Sequence, residues 1–161
     1  MCSCSILLYS NGMKELSWQE IEAACNSLAA KIEASGFVAD YIIGITSGGL
    51  IPLYFLSQEL RIKNILTVSA KSYENKEQKK LDIWYLPEAS LAGKNILLID
   101  EIIDTGETFK QIKQRMEEKY GAHEARTAAL VVRTDHCKHL PDFYAVEASD
   151  WAVFPWEKNS Q

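Results

Sequence analysis

Recurring apolar positions predict three helices along the chain. The first begins at Ser17, which precedes Glu20 by three residues as a capping box requires, and its apolar residues keep helical spacing until Gly36. A second segment, residues 50–60, is apolar nearly all round and predicts a buried helix. A third helix is predicted from Glu107, with its apolar residues on one face.

Short apolar runs lie between these helices and predict strands. Residues 94–100 form a nearly continuous apolar run, which is typical of a strand buried on both faces of a parallel sheet. Residues 72–80 are polar and without period, so they predict an exposed loop. Further strands are predicted at residues 40–46, 64–71, 81–87, 125–133, 142–147 and 151–157. Because strands alternate with helices, we expect an α/β fold with a mainly parallel central sheet flanked by helices.

Composition narrows the class of protein. With 161 residues, 47% hydrophobic and 24% charged, the chain has the size and balance of one globular domain over residues 1–161. Residues 1–12 fit no predicted element, and we expect a disordered or loosely attached extension there. The net charge of −5 argues against broad affinity for nucleic acid. No apolar run approaches the ~20 residues of a membrane span, and four scattered cysteines favour a reducing, cytoplasmic environment.

Candidate chemistry concentrates where the apolar run 94–100 ends. Asp100 and Glu101 place two carboxylates at the sheet edge, where they can accept hydrogen bonds from sugar hydroxyls or hold magnesium. Asp104 comes next, and residues 105–108 open the third helix with two threonine hydroxyls and free backbone N–H groups. A helix N-terminus of this kind binds anions. The two adjacent sites together fit a ribose 5-phosphate.

The stretch ILLIDEIIDTGETF, residues 96–109, closely resembles the phosphoribosyl pyrophosphate signature of type I phosphoribosyltransferases. The resemblance implies their fold, a mainly parallel sheet flanked by helices with a small C-terminal hood to which residues 134–161 contribute. It implies that Asp100 and Glu101 bind the ribose hydroxyls and Mg²⁺, and that Asp104 accepts the purine N7 proton. The residues implied to hold the 5-phosphate are Thr105, Gly106, Glu107 and Thr108.

Three further stretches resemble the same family in the same order. Ser47, Gly48 and Gly49 resemble the loop that binds pyrophosphate, where glycines allow an anion close to the backbone. The residues that resemble the mobile catalytic loop closing over pyrophosphate are Ser72, Tyr73 and Lys79. The stretch WAVFPWE resembles the purine-binding hood of the 6-oxopurine branch. The residues implied in substrate binding there are Trp151, which stacks on the base, Ala152, whose backbone reads the base edge, and Glu157.

Two positions depart from the family pattern. Close relatives carry arginine or lysine at Ser47, so the predicted pyrophosphate loop lacks a side-chain cation, and Lys79 and magnesium must supply more of the charge. At Arg133 relatives carry a lysine that contacts the purine 6-oxo group. Arginine can also donate there, but its planar fork differs from an ammonium group. The alternative interpretation of Arg133 is a surface residue at a strand end.

Several residues also have purely structural interpretations. Phe154 and Trp156 are consistent with core aromatics, and the lysines of residues 72–80 are consistent with a solvated charged face. One loop contains four residues of types that can ligate a transition metal, Asp135, His136, Cys137 and His139. Their spacing fits no zinc-binding pattern. We expect that loop to be a polar connection without metal.

The sequence predicts a purine salvage phosphoribosyltransferase that joins xanthine, guanine or hypoxanthine to phosphoribosyl pyrophosphate, with Mg²⁺ as cofactor. The expected partners are these small molecules and further copies of the chain in a homodimer or homotetramer, with no nucleic acid and no membrane insertion. The alternative is a non-catalytic regulator of the same fold that senses phosphoribosyl pyrophosphate or nucleotide. The missing cation at Ser47 keeps that alternative open, whereas the complete loop around Asp104, Trp151 and the lack of a basic surface or a further DNA-binding domain in the sequence argue against it.

Overall fold

Helices and strands alternate along the part of the chain that the structure describes. The computed structural model describes residues 8–9, 14–75, 78–85 and 88–157, with the backbone alone at 8–9, 14, 71–75 and 78–85. The helices are α1 (Trp18–Ala34), α2 (Leu50–Glu59) and α3 (Glu107–Glu118). The strands are β1 (Leu8–Tyr9), β2 (Lys14–Glu15), β3 (Tyr41–Thr46), β4 (Ile65–Asn75), β5 (Gln78–Tyr85), β6 (Asn95–Ile103), β7 (Glu124–Arg133), β8 (Phe143–Ala148) and β9 (Ala152–Val153). None of these three helices combines the length and apolarity that crossing a lipid bilayer requires.

Seven of the strands form one sheet in the order β1-β8-β7-β6-β3-β4-β5. Neighbouring strands are parallel, except that β4 and β5 are antiparallel. β6 lies in the middle of the sheet and continues to Ile103, beyond the predicted end at residue 100. The predicted α/β fold with a mainly parallel sheet is confirmed.

Helices cover both faces of this sheet. Leu97 and Ile99 of β6 pack on the side of α1 and α2, whereas Ile96 and Leu98 pack on the side of α3. All four side chains are fully buried. Because alternate residues of a strand point to opposite faces, a strand covered on both sides must be apolar throughout. The apolar run in the sequence is therefore explained by the position of β6.

The N-terminus of α1 has the predicted capping box. Ser17 N donates to Glu20 Oε2 at 2.9 Å, and Ser17 Oγ accepts from Glu20 N at 3.3 Å. An N-cap of this kind stabilises a helix by about 1 kcal/mol. The predicted apolar face is buried at Ile21, Leu28 and Ile32. The predicted amphipathic helix is confirmed.

The prediction of an exposed loop at residues 72–80 is wrong over the residues that the structure describes. β4 and β5 enter this stretch from either side as an antiparallel hairpin, in which Glu74 pairs with Lys79. Hydrogen bonds between antiparallel strands join backbone groups and need no apolar side chains. A polar hairpin therefore leaves no apolar pattern in the sequence. Residues 76–77 lie outside the described residues.

A second, two-stranded sheet brings the N-terminal and C-terminal segments together. β2 and β9 are parallel, with Lys14 opposite Ala152, and Leu16 N donates to Val153 O at 2.9 Å. Of the described strands within residues 134–161, β8 belongs to the main sheet and β9 belongs to the second sheet with β2. The contribution of residues 134–161 to a hood stays a prediction. Strands of two residues have no periodicity, so the sequence pattern predicts neither β1 nor β2. β1 lies within residues 1–12, where an extension without secondary structure is expected, but its two residues pair with β8.

Candidate active site

A cleft of about 330 Å³ opens at the carboxyl ends of β3, β4 and β6. Open α/β sheets bind their ligands at this edge. The predicted site residues that line the cleft are Gly48, Asp100, Glu101, Asp104, Thr105, Gly106, Glu107, Thr108 and Trp151. Five other predicted site residues have described side chains or backbone but do not line the cleft: Ser47, Gly49, Arg133, Ala152 and Glu157. Gln111, which no motif indicates, lines the cleft and donates to Glu107 Oε1 at 3.2 Å.

The loop between β3 and α2 lies against the Glu101 side chain at Gly48 and against the backbone of β3 and β6 at Gly49, where it requires glycine. A Cβ at Gly48 would overlap the Glu101 carboxylate, and a Cβ at Gly49 would lie 2.6 Å from both Ile45 O and Ile99 O. Gly49 N closes the turn by donating to Ile45 O at 2.8 Å. α2 begins without a side-chain N-cap. Leu50 N donates to Ser47 O at 3.1 Å and Pro52 has no N–H, so Ile51 N is the group in the first turn of α2 that makes no hydrogen bond with the described residues and is open to an anion.

Burial changes the acidity of the two adjacent carboxyl groups. It raises the pKa of Asp100 to about 8, opposed in part by Glu101 N, which donates to Asp100 Oδ1 at 2.8 Å. It raises the pKa of Glu101 to about 7, opposed in part by the indole of Trp156, which donates to Glu101 Oε2 at 2.8 Å. Repulsion from Glu157 raises the pKa of Glu101 further. At neutral pH the pair thus carries less than its full negative charge unless a cation compensates it.

The donor set suits a magnesium ion that is shared with a substrate. Asp100 and Glu101 offer the oxygen ligands that Mg²⁺ prefers, and a cation would offset the cost of ionising them in a buried position. Within the described residues, no group of three or more His, Cys, Asp or Glu side chains is arranged to hold a metal. Mg²⁺ is usually bound by one or two carboxylates and completes its coordination with phosphate oxygens and water. The two acids fit that arrangement.

The loop between β6 and α3 turns at a glycine in the left-handed conformation. Gly106 has a φ of +80°, and a Cβ there would overlap the carbonyl group of His139. Lys138 N and His139 N donate to Thr105 O at 3.1 and 3.3 Å. α3 begins without a side-chain N-cap, and Thr108 lies in its first turn. Glu107 N donates to Thr105 Oγ1 at 3.4 Å, whereas Thr108 N and Phe109 N make no hydrogen bond with the described residues and are available to an anion. No sequence motif indicates the support that the segment after β7 gives to this loop.

Asp104 is held by an arginine from the neighbouring strand. Arg133 Nη1 donates to Asp104 Oδ1 at 2.7 Å, and the guanidinium carbon lies 5.6 Å from the centre of the Trp151 ring. The Arg133 side chain is only 16% exposed, so it is not the solvated strand-end residue of the alternative interpretation. Arg133 Nε is buried and makes no hydrogen bond with the described residues. The predicted proton acceptor, base contact and stacking ring thus lie together.

The other described residues of the predicted hood do not line the cleft. Ala152 is buried in β9, opposite Lys14 of β2. Glu157 Oε2 accepts from Phe154 N at 2.8 Å and closes the final turn. Trp156 stacks on Phe154 with ring centres 4.8 Å apart. Contacts of Ala152 and Glu157 with a substrate stay predictions.

The predicted catalytic loop is described only in its backbone. Ser72 and Tyr73 belong to β4, and Lys79 belongs to β5, so all three lie in the hairpin at the edge of the sheet. Their side chains lie outside the described part of the chain. Their contacts with a leaving group stay predictions.

The loop with candidate metal ligands, residues 135–139, is a polar connection. Cys137 Sγ donates to His139 O at 3.2 Å, and His139 Nε2 lies 3.6 Å from Glu107 Oε2 and 3.3 Å from Lys110 Nζ. None of its side chains belongs to a metal-binding group formed by the described residues. The expectation of a polar loop is consistent with these contacts.

Comparisons with known proteins agree with this geometry. The family profile of the phosphoribosyl transferase domain matches residues 16–160. Over 149 residues the chain is 31% identical to the xanthine-guanine phosphoribosyltransferase of Cereibacter sphaeroides, covering 88% of this chain and 85% of that protein. The purine phosphoribosyltransferase structure from Pyrococcus horikoshii has a TM-score of 0.78 and 31% identity, over 88% of this chain and 92% of that one. The Helicobacter pylori xanthine-guanine-hypoxanthine phosphoribosyltransferase has a TM-score of 0.81 and 23% identity, over 91% and 94%. The chain therefore belongs to the phosphoribosyltransferase family and has the type I phosphoribosyltransferase fold.

Proposed function

We propose that this chain transfers the 5-phosphoribosyl group of phosphoribosyl pyrophosphate to a 6-oxopurine, giving a nucleoside monophosphate and pyrophosphate. The observation that carries the proposal is that the groups this reaction needs line one cleft. Asp100, Glu101, Asp104, Trp151 and the start of α3 all belong to its lining. The relatives named for xanthine, guanine or hypoxanthine support a purine acceptor.

The reaction breaks the bond between the anomeric carbon and the pyrophosphate oxygen and forms a bond from that carbon to a purine nitrogen. Positive charge develops on the ribose while negative charge grows on the leaving group. Asp100 and Glu101 are placed to accept hydrogen bonds from the ribose hydroxyls and to stabilise the positive charge. Mg²⁺ held by these two carboxylates would supply positive charge that offsets part of the leaving group's charge.

Backbone donors supply the remaining anion binding. The uncapped start of α3, with the hydroxyls of Thr105 and Thr108, suits the 5-phosphate. Ile51 N at the start of α2, behind Gly48 and Gly49, is a donor that suits the pyrophosphate. Because these groups are fixed by the fold, they need little reorganisation as charge develops. We propose that Ser72, Tyr73 and Lys79 close over the leaving group and exclude water.

Asp104 is the proposed proton acceptor for the purine N7–H. Arg133 Nη1 occupies its Oδ1, and the described residues make no hydrogen bond to Oδ2. That second oxygen is therefore the one offered to the base, while the Trp151 ring provides a stacking surface. Arg133 has further N–H groups for the purine 6-oxo group.

A steady-state assay tests the proposal. Purified protein with Mg²⁺ and phosphoribosyl pyrophosphate is given guanine, xanthine, hypoxanthine or adenine, and nucleotide and pyrophosphate are measured. We expect turnover with at least one 6-oxopurine and much less with adenine. No nucleotide from any purine would overturn the enzymatic proposal. Calorimetric binding of phosphoribosyl pyrophosphate without pyrophosphate release would instead favour a regulator.

The proposal extends to the setting of the enzyme. We propose that it acts in the cytoplasm, where phosphoribosyl pyrophosphate is available, and that it forms a homodimer or homotetramer as the family resemblance implies. Light scattering coupled to size-exclusion chromatography measures the mass of the assembly. A monomer at micromolar concentration would contradict the oligomer without affecting the proposed reaction.

A further inference from the structure

Trp156 contacts the acid pair from outside the cleft. Its indole N–H donates to Glu101 Oε2 at 2.8 Å, across 55 positions of sequence. Trp156 lies in the turn after β9 and does not line the cleft, so it reaches the predicted ribose site only through Glu101. This hydrogen bond joins the hood to the end of β6.

Two aromatic rings fix the orientation of the indole. The Phe154 ring stacks on it with centres 4.8 Å apart and planes 17° apart, and the Trp18 ring of α1 lies at 5.7 Å and 50°. Phe154 is only 1% exposed, so it provides a rigid surface. A ring packed on two sides has little freedom to turn. The direction of the Trp156 N–H is therefore set by packing.

Gly48 bounds the other side of the Glu101 carboxylate. A Cβ at Gly48 would overlap Glu101 Oε1 and Cδ, so the carboxylate lies directly on the backbone of the predicted pyrophosphate loop. Glutamate is a flexible side chain, and ordering it costs rotamer entropy. Held between Trp156 and Gly48, Glu101 has already lost that freedom before a substrate arrives.

Packing alone does not account for a tryptophan at this position. A phenylalanine at Trp156 would retain stacking on Phe154, because stacking uses only the ring face. The indole N–H is a donor that requires an acceptor when it is buried, and its acceptor here is a predicted ribose-binding carboxylate. Hydrogen bonds to an ionised acceptor are about twice as strong as neutral ones.

We infer that Trp156 is a positioning residue, whose indole N–H holds the Glu101 carboxylate where the ribose hydroxyls of the donor substrate bind. The inference rests on the proposed function and adds a residue to it. It assigns the hood a part in donor binding as well as in base binding. The ring contact between Trp156 and Trp18 extends the same connection to the start of α1.

Kinetics of Trp156→Phe test this role, because the variant keeps an aromatic ring against Phe154, although a smaller one, and loses the N–H donor. We expect the KM for phosphoribosyl pyrophosphate to rise about three- to tenfold, the effect of one hydrogen bond. The KM for the purine should change less than twofold. The control Tyr120→Phe also removes one polar group from an aromatic side chain, but Tyr120 follows the C-terminal end of α3 and does not line the cleft, so it should leave both constants within twofold.

A double-mutant cycle separates positioning from packing. In a Glu101→Ala background, Trp156→Phe should cause no further rise in the KM for phosphoribosyl pyrophosphate. An unchanged KM in the single variant, or an equal rise in the Glu101→Ala background, would overturn the inference.

A measurement on the wild-type protein tests the inference even if Trp156→Phe does not fold. The indole N–H resonance of Trp156 can be assigned by replacing each of the other tryptophans with phenylalanine. Saturating Mg²⁺ and phosphoribosyl pyrophosphate should shift this resonance and slow its hydrogen exchange. A resonance that does not respond would overturn the inference.

The proposed function and this inference fail in different ways. If wild-type protein forms no nucleotide but binds phosphoribosyl pyrophosphate, the proposed enzyme is wrong, and the calorimetric Kd replaces the KM. A Kd weakened three- to tenfold in Trp156→Phe then supports the inference by itself. Absence of donor binding in the wild type overturns both.

Discussion

Arg133 reaches from the end of β7 to Asp104 in the loop after β6, with Nη1 and Oδ1 2.7 Å apart. The guanidinium group also faces the Trp151 ring at 5.6 Å. One side chain thus touches both the predicted proton acceptor and the predicted stacking ring. We therefore expect that replacing Arg133 lowers the rate of the reaction by more than the loss of one contact with the purine would.

Arg133→Ala should lower kcat/KM for the purine by about tenfold to a hundredfold, because hydrogen bonds to charged groups are worth ~1.5–3 kcal/mol. Arg133→Lys should retain more activity, since it keeps the charge but not the planar fork. Steady-state kinetics with each 6-oxopurine measure the effect. Arg126→Ala is the matched control, because Arg126 lies on the same strand, pairs with Glu124 and lies outside the cleft lining. Equal losses in both alanine variants would contradict a role at the base.

Asp104→Asn should reduce kcat by about a hundredfold or more while the Kd for phosphoribosyl pyrophosphate stays near the wild-type value. Loss of a general base typically costs 10²–10⁴ in rate, and asparagine keeps the size of the side chain. Single-turnover kinetics and calorimetry measure the two quantities. Asp135→Asn, at an exposed position in the nearby loop, should leave both unchanged. Unchanged turnover in Asp104→Asn would assign Asp104 to anion binding alone.

Gly106→Ala should destabilise the fold more than Gly36→Ala. Both glycines have positive φ, +80° and +74°, so each alanine incurs the cost of the left-handed conformation, about 1 kcal/mol. Only the Cβ at position 106 overlaps a neighbour, the carbonyl of His139. We expect a loss of roughly 2 kcal/mol or more in the free energy of unfolding, measured in urea, together with weaker binding of phosphoribosyl pyrophosphate. Equal destabilisation by the two alanines would rule out the overlap.

Asp100→Asn should stabilise the magnesium-free protein, and the gain should grow with pH. The pKa of Asp100 is about 8 in the folded protein against an ordinary 3.8, so the folded state binds the extra proton between these values. Wild-type stability therefore falls as pH rises through that window, whereas asparagine does not titrate. The gain in the free energy of unfolding should be ~1–4 kcal/mol larger at pH 8 than at pH 5. Asp135→Asn serves as an exposed control, and a gain independent of pH would contradict burial of the acid.

Local pattern predicts the parts of this site that are continuous in sequence. The acids, the glycine turn and the start of α3 follow one another between Asp100 and Thr108. Because they all come directly after one parallel strand, they are expected together at the edge of the sheet where that strand ends. Capping at Ser17 is predictable for the same reason, because both partners lie within one turn.

Contacts between distant segments leave no such signal. The Trp156 hydrogen bond to Glu101 and the packing of His139 on Gly106 depend on how β9 and the loop after β7 fold back over the cleft. The sequence pattern does not indicate the polar hairpin, because its two strands pair through backbone hydrogen bonds that need no apolar side chains.

The pairing of β2 with β9 has a practical consequence for labelling. Lys14 lies opposite Ala152. Ala152 directly follows Trp151, which lines the cleft. A fluorophore or affinity tag joined just before Lys14 would therefore crowd the substrate entrance. Ala92 offers a better attachment point. It is exposed in the turn that leads into β6, at the sheet edge opposite the cleft. A label at that turn would leave substrate access unobstructed.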